Sequence, residues 1–126
     1  MAIQVSGTTV IDNSRILQNI AGINGVYFNL QPEASAIGTA INFNTPMMTK
    51  TLSGNTTFTE SNKATGHSAI LLLDTTTSNY DPTFSSNVKF PTDGTAPTWD
   101  DHRYWVITFI CFDGTTVRAA AIGYDN

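Results

Sequence analysis

Two histidines (His67 and His102), one cysteine (Cys111) and ten Asp and Glu residues are the side chains of this 126-residue chain best suited to bind a metal, attack as a nucleophile or move a proton. A zinc site needs three or four His, Cys or carboxylate ligands at short spacing. The nearest grouping is Asp100-Asp101-His102. Consecutive side chains of an extended chain point to opposite sides, so these three do not converge on one ion and read as an acidic loop before a strand. Cys111 lies between Ile110 and Phe112, a setting in which a thiol is an inert small hydrophobe, rather than a nucleophile paired with His67 or His102. Ser6-Gly7 and Ser53-Gly54 lack the second glycine and the strand–turn–helix context of a nucleophile elbow. Glycoside cleavage needs two carboxyl groups about 5 or 6.5–9.5 Å apart, and neither Asp74 with Asp81 nor Asp93 with Asp100 carries a sequence signature of that separation. No EF-hand spacing or phosphate-cradling glycine loop occurs. Asn55-Thr56-Thr57 matches a glycosylation acceptor, without a secretory signal to give it meaning. The expectation is no catalytic residue, no cofactor and no metal. Trp99 stands between Pro97-Thr98 and Asp100-Asp101 and is expected to be exposed, a candidate to stack on a sugar ring or a partner protein. Phe84, Phe90, Tyr104, Trp105 and Phe109 are expected in the core.

The elements that must position these residues read as strands. Ser, Thr and Asn make up about a third of the chain, a bias toward β-branched and turn-forming residues that disfavours a helical bundle. Ile3–Val5 alternates apolar and polar, and Gly7 turns the chain into Thr8–Ile11. Ser14–Gly25 is irregular or a single helical turn, since Gly22 and Gly25 interrupt the helical spacing of Ile16, Leu17, Ile20 and Ile23. Val26–Leu30 and Ala40–Phe43 follow as strands. Met47–Leu52 and Thr56–Glu60 read as a hairpin around Ser53-Gly54-Asn55. Ala69-Ile70-Leu71-Leu72-Leu73 is a continuous apolar run of the kind buried on both faces. Asn87–Phe90 is a short strand. Tyr104–Phe112 and Thr116–Tyr124 flank Asp113-Gly114, the signal of a tight hairpin with Phe112 and Thr115 on either side of a two-residue turn. The fold class expected is all-β, an antiparallel β-sandwich or barrel-like domain with an extended, charge-poor N-terminal arm.

Charge supports that division. A net charge of −4, with six basic residues of which no two are adjacent, argues against nucleic acid and against an anionic membrane surface. No stretch approaches 18 apolar residues, and Met1–Val5 has neither the basic nor the apolar region of a secretory signal. The single Cys111 excludes an internal disulfide framework and suggests synthesis in a reducing cytoplasm. Between Met1 and Thr49 the charged side chains are Asp12, Arg15 and Glu33 alone. Interface cores are poor in charge, so residues 1–49 are expected to form an assembly arm packed on the domain or on neighbouring subunits, and residues 50–126 the antiparallel domain. Ile16, Leu17, Ile20 and Ile23 are the expected interface residues.

Two stretches carry a resemblance. Val10-Ile11-Asp12-Asn13-Ser14-Arg15-Ile16-Leu17-Gln18-Asn19-Ile20 resembles a segment of bacteriophage virion proteins, notably tail-fibre and related surface proteins of marine and cyanobacterial phages. Ser86-Asn87-Val88-Lys89-Phe90-Pro91-Thr92-Asp93-Gly94-Thr95-Ala96-Pro97-Thr98, with Val106-Ile107-Thr108-Phe109 and Asp113-Gly114-Thr115, is similar to the C-terminal β-domain of such proteins. Ile16, Phe90 and Val117-Arg118-Ala119 depart from the pattern, which bears on a sugar-binding tip more than on the fold. The resemblance implies a non-enzymatic, oligomeric virion protein, a trimer, made in the host bacterial cytoplasm. Its partners would be itself and major capsid or tail proteins. A chain of 126 residues from Met1 is short for a fibre's anchor, rod and tip together, so capsid decoration as a knob or cement is expected first. A short tail fibre or fibre tip binding host glycans, with Trp99 and the Thr75–Asn79 loop as contacts, is the alternative. A polysaccharide-cleaving enzyme comes third, for want of a carboxylate pair.

Overall fold

The computed structural model describes residues 3–5, 8–11, 34–75, 80–91, 93–99 and 102–125, in two compact units, Met1–Gln31 and Pro32–Asn126. In the first unit β1 (Ile3–Val5) and β2 (Thr8–Ile11) pair antiparallel, as the turn at Gly7 predicts. Ile16, Leu17, Ile20 and Ile23, and the Val26–Leu30 strand, lie outside the described residues.

The second unit is all-β among the described residues. Its strands are β3 (Ser35–Ala36), β4 (Ala40–Asn42), β5 (Met47–Thr51), β6 (Thr56–Ser61), β7 (His67–Asp74), β8 (Pro82–Phe84), β9 (Val88–Lys89), β10 (Tyr104–Cys111) and β11 (Val117–Tyr124). They form a six-stranded sheet, β3-β5-β7-β10-β11-β9, and a three-stranded sheet, β4-β6-β8. The boundary expected at residue 49 falls inside β5, and the compact unit that begins at Pro32 takes in β3, β4 and the first three residues of β5, all assigned to the arm.

From β3 to β8 the chain changes sheet at every step. As a result β3, β5 and β7 run parallel in one sheet, and β4, β6 and β8 run parallel in the other. Parallel neighbours need a long crossover, and here each crossover is a strand of the opposite sheet. The expected hairpin at Ser53-Gly54-Asn55 is therefore corrected: β5 and β6 do not pair, and this turn is a corner between sheets. Side chains explain why the corners stack. Asn55 Oδ1 accepts the Asp81 N–H at 3.1 Å, tying the β5–β6 corner to the approach to β8. Asn62 Nδ2 donates to Asn42 Oδ1 at 2.8 Å, tying the end of β6 to the end of β4. Asparagine predicts a turn in either case; it does not say to which strand the turn leads. The antiparallel expectation holds for β7, β10 and β11, where β10 pairs residue by residue with both neighbours.

Alternate side chains of both sheets meet in one apolar cluster. Ile41 and Phe58 enter it from the small sheet, and Met48, Leu71, Leu73, Ile107 and Phe109 from the large one. Phe84 on β8 joins the two, stacking on Phe58 at a centroid distance of 5.4 Å and lying 6.0 Å from Phe109. Trp105 packs edge-on to Trp99 at 5.0 Å, and its Nε1–H is satisfied by the carbonyls of Trp99 and His102 at 3.2 and 3.1 Å. Thr75, buried where β7 ends, directs its hydroxyl at the carbonyls of His102 and Arg103.

The β10–β11 connection is longer than expected. Pairing ends at Cys111↔Val117, leaving residues 112–116 in the loop. Asp113 organises it: Oδ1 accepts the N–H groups of Thr115 and Thr116 at 2.8 and 2.6 Å. Gly114 takes a φ of +78°, where a β-branched residue costs about 1–3 kcal/mol. A Cβ there would sit 3.4 Å from Thr65 Oγ1, so the cost is mainly torsional. Gly114→Val is expected to lower the unfolding free energy by about 1–3 kcal/mol in urea titration, and a variant of unchanged midpoint would contradict this turn. The two backbone donors hold the Asp113 carboxyl below the usual carboxylate range. A depressed folded-state pKa stabilises fully above the unfolded value, about 3.9, and the contribution is lost as pH falls through the folded value. Asp113→Asn keeps the acceptor and loses the charge. Its deficit against wild type should be constant near neutrality and shrink below about pH 4; a deficit unchanged into strong acid would contradict this.

Candidate functional site

The apolar run of β7 alternates instead of being buried on both faces. Ala69, Leu71 and Leu73 enter the core, while Ile70 and Leu72 point away from it, 39% and 42% exposed. This corrects the expectation of a strand covered on both sides. The same division runs across the large sheet, since register partners share a face. Met47, Ile70, Thr108 and Ala120 form one outward row across β5, β7, β10 and β11. Thr49, Leu72, Val106 and Ile122 form the next, with Ile122 60% exposed. Thr51, Asp74, Tyr104 and Tyr124 follow at one end, and Ser68, Ile110, Arg118 and Lys89 at the other. Of the large hydrophobic side chains exposed among the described residues, Met47, Ile70, Leu72, Ile110, Ile122 and Tyr124 lie on this face, and Phe112 in the loop at its end.

Charge stands at the margins. Lys89 and Arg118 mark the loop end. Asp74 marks the other, 3.6 Å from Arg103 Nε, and the Arg103 guanidinium lies 5.0 Å from the Tyr104 ring centroid. The two middle rows carry no charge. The outward side of the small sheet is polar by contrast: Thr57, Thr59 and Thr83 are exposed, and the Thr57 and Thr83 hydroxyls bond across strands at 2.8 Å.

The residues singled out from sequence fare differently. Trp99, expected at the surface, is 6% exposed. The chain folds back after Phe90, which bridges to Gly94, and brings the Trp99 ring edge-on to Phe90 and Trp105. Its indole is therefore unavailable to stack on a ligand. Of the Thr75–Asn79 loop, Thr75 is buried and residues 76–79 lie outside the described ones. Asp100 and Asp101 lie outside them too. His67 is the cross-strand partner of Cys111, but its Nδ1 is 3.0 Å from the Asn62 carbonyl oxygen and the Cys111 thiol is wholly buried. His102 Nδ1 meets Asp125 Oδ1 at 3.0 Å, with the ring edge-on to Trp105. Among the described residues no three His, Cys, Asp or Glu side chains are grouped to hold a metal ion.

Sequence reasoning did not find two shallow depressions that flank the 90–97 loop. One, of about 350 Å³, has Phe84, Val88, Phe90 and Lys89 in its walls; the other, of about 340 Å³, has Pro91, Pro97, Ala120 and Ala121. Nor did it find the apolar face, although the signal was present. Both residue parities of 69–73 and 106–110 are largely apolar, so these strands show apolar side chains on the face that the core does not take. Compared with family models, curated proteins and solved structures, the chain matches none.

Proposed function

We propose that this chain is a non-enzymatic structural protein of the bacteriophage particle surface, made in the host cytoplasm and decorating the capsid as a knob or cement. The observation that carries the reading is the charge-free middle of the six-stranded sheet's outer face. Monomeric soluble proteins rarely expose an apolar patch larger than a few hundred Å², and a protein that works by assembly has a use for one. The two sheets, joined through the Phe58–Phe84–Phe109 rings, are read as a sandwich whose second layer is thinner than its first. The resemblance adds the particle: Ser86–Thr98, Val106–Phe109 and Asp113-Gly114-Thr115 cover β9, the loop after it, the middle of β10 and its hairpin turn, with β9 and β10 both pairing with β11. Partners on this reading are further copies of the chain in a closed assembly, for which the resemblance implies three, and capsid or tail proteins.

Mass spectrometry of purified virions should find the chain among their proteins, and gold-labelled antibody should mark the head in electron micrographs. Label confined to tail tips would favour the short-fibre alternative over decoration. Absence of the chain from particles would overturn the virion reading altogether.

A further inference from the structure

We infer that the outer face of the six-stranded sheet is covered by the same face of a second copy of this chain, the two related by a two-fold axis that lies between the sheets and runs across the strands. The inference rests on the assembly reading above, adds the surface and the occupant, and puts a two-fold in place of the three copies that the resemblance implies.

Size comes first. Three strands of eight residues, β7, β10 and β11, and β5 of five present a projected area of about 460 Å² per copy. Two such faces bury about 900 Å² before side-chain relief is added, which brings the contact to about 1,000 Å², the size that a specific interface should clear. The edges of the sheet offer less. β3 and β9 are two residues each, and the Pro91–Pro97 loop lies alongside Ala120 and Ala121 on β11. Short and covered edges resist strand-to-strand growth, so association falls to the face.

The rows then select the axis. A two-fold along the strands would set each row over its own copy with the strand order reversed, so that Arg118 on β11 would lie toward the β5 side of its own row, away from the tyrosines. A two-fold across the strands reverses the rows. The basic end then lies over the row of Tyr104, Tyr124 and Asp74, with Arg118 on β11 facing the Tyr124 ring on β11 of the second copy. In the middle, Ala120 and Thr108 lie over Ile122 and Val106, small side chains against large ones, while Ile70 lies over Leu72, apolar against apolar. An isologous contact of this kind is closed at two copies.

Light scattering on the full-length protein tests this. Wild type should have twice the 13.6 kDa chain mass. Ile122→Lys should return it to the single-chain mass with unchanged circular dichroism and Trp fluorescence, and Thr57→Lys, on the other sheet, should leave the double mass intact. In case Ile122→Lys fails to fold, Ile122→Cys treated with a short bismaleimide should give covalent dimers, and Thr57→Cys should not. A monomeric wild type, a mass of three chains, an Ile122→Lys variant that stays associated, or equal cross-linking at residues 57 and 122 would overturn the inference. The virion assignment is tested on particles and stands or falls separately.

Discussion

A strand cannot double back through a tight turn and lie parallel to its own start. In residues 34–84 that constraint is met by sending the chain through a second sheet between successive strands of the first, and most of the unit depends on it. It places Met48 beside Leu71 and Phe58 beside Phe84, so every turn of the chain adds a rung to both sheets. What holds the sheets together is then a small set of large side chains. Losing a buried ring such as Phe58 or Phe109 costs about 3–5 kcal/mol, a large share of the 5–15 kcal/mol that keeps a typical domain folded. Polar groups at the corners add direction more than energy: the Asn42–Asn62 and Asn55–Asp81 bonds fix which rung lies on which.

The positions of strands were legible from residue types, and their pairing only in part. β1, β2, β5, β7, β10 and β11 fall where alternation and β-branched runs predict them. Asp113-Gly114 marks the hairpin, though the loop is longer because the Asp113 carboxylate gathers two successive N–H groups and so needs more residues than a two-residue turn provides. The parallel rungs were hidden because a Ser-Gly-Asn corner looks the same whether the next strand pairs with the last or crosses to another sheet. Trp99 misled because its neighbours are polar in sequence, whereas its burial is set by Phe90 and Trp105, one of them beyond a loop.

Of the candidate site, the raw signal was in plain view and its meaning was not. Five consecutive apolar residues at 69–73 were assigned to burial within the domain. Alternate side chains, Leu71, Leu73 and Ile107 among them, enter the apolar core, and Leu72, Val106 and Ile122 emerge on the other face of the sheet. Thr57, Thr59 and Thr83 on the three-stranded sheet contrast with it, a polar face and an apolar one within the same unit.

Hydroxyl-radical footprinting of full-length protein across a dilution series tests most directly whether that apolar face is covered in the working molecule. Leu72, Ile122 and Tyr124 are 42%, 60% and 50% exposed in the single chain. The account predicts slow oxidation at all three in concentrated protein and faster oxidation on dilution, while Tyr80, outside this sheet, reacts equally throughout. Oxidation of the three at the same high rate at every concentration would show the face open to water and contradict it.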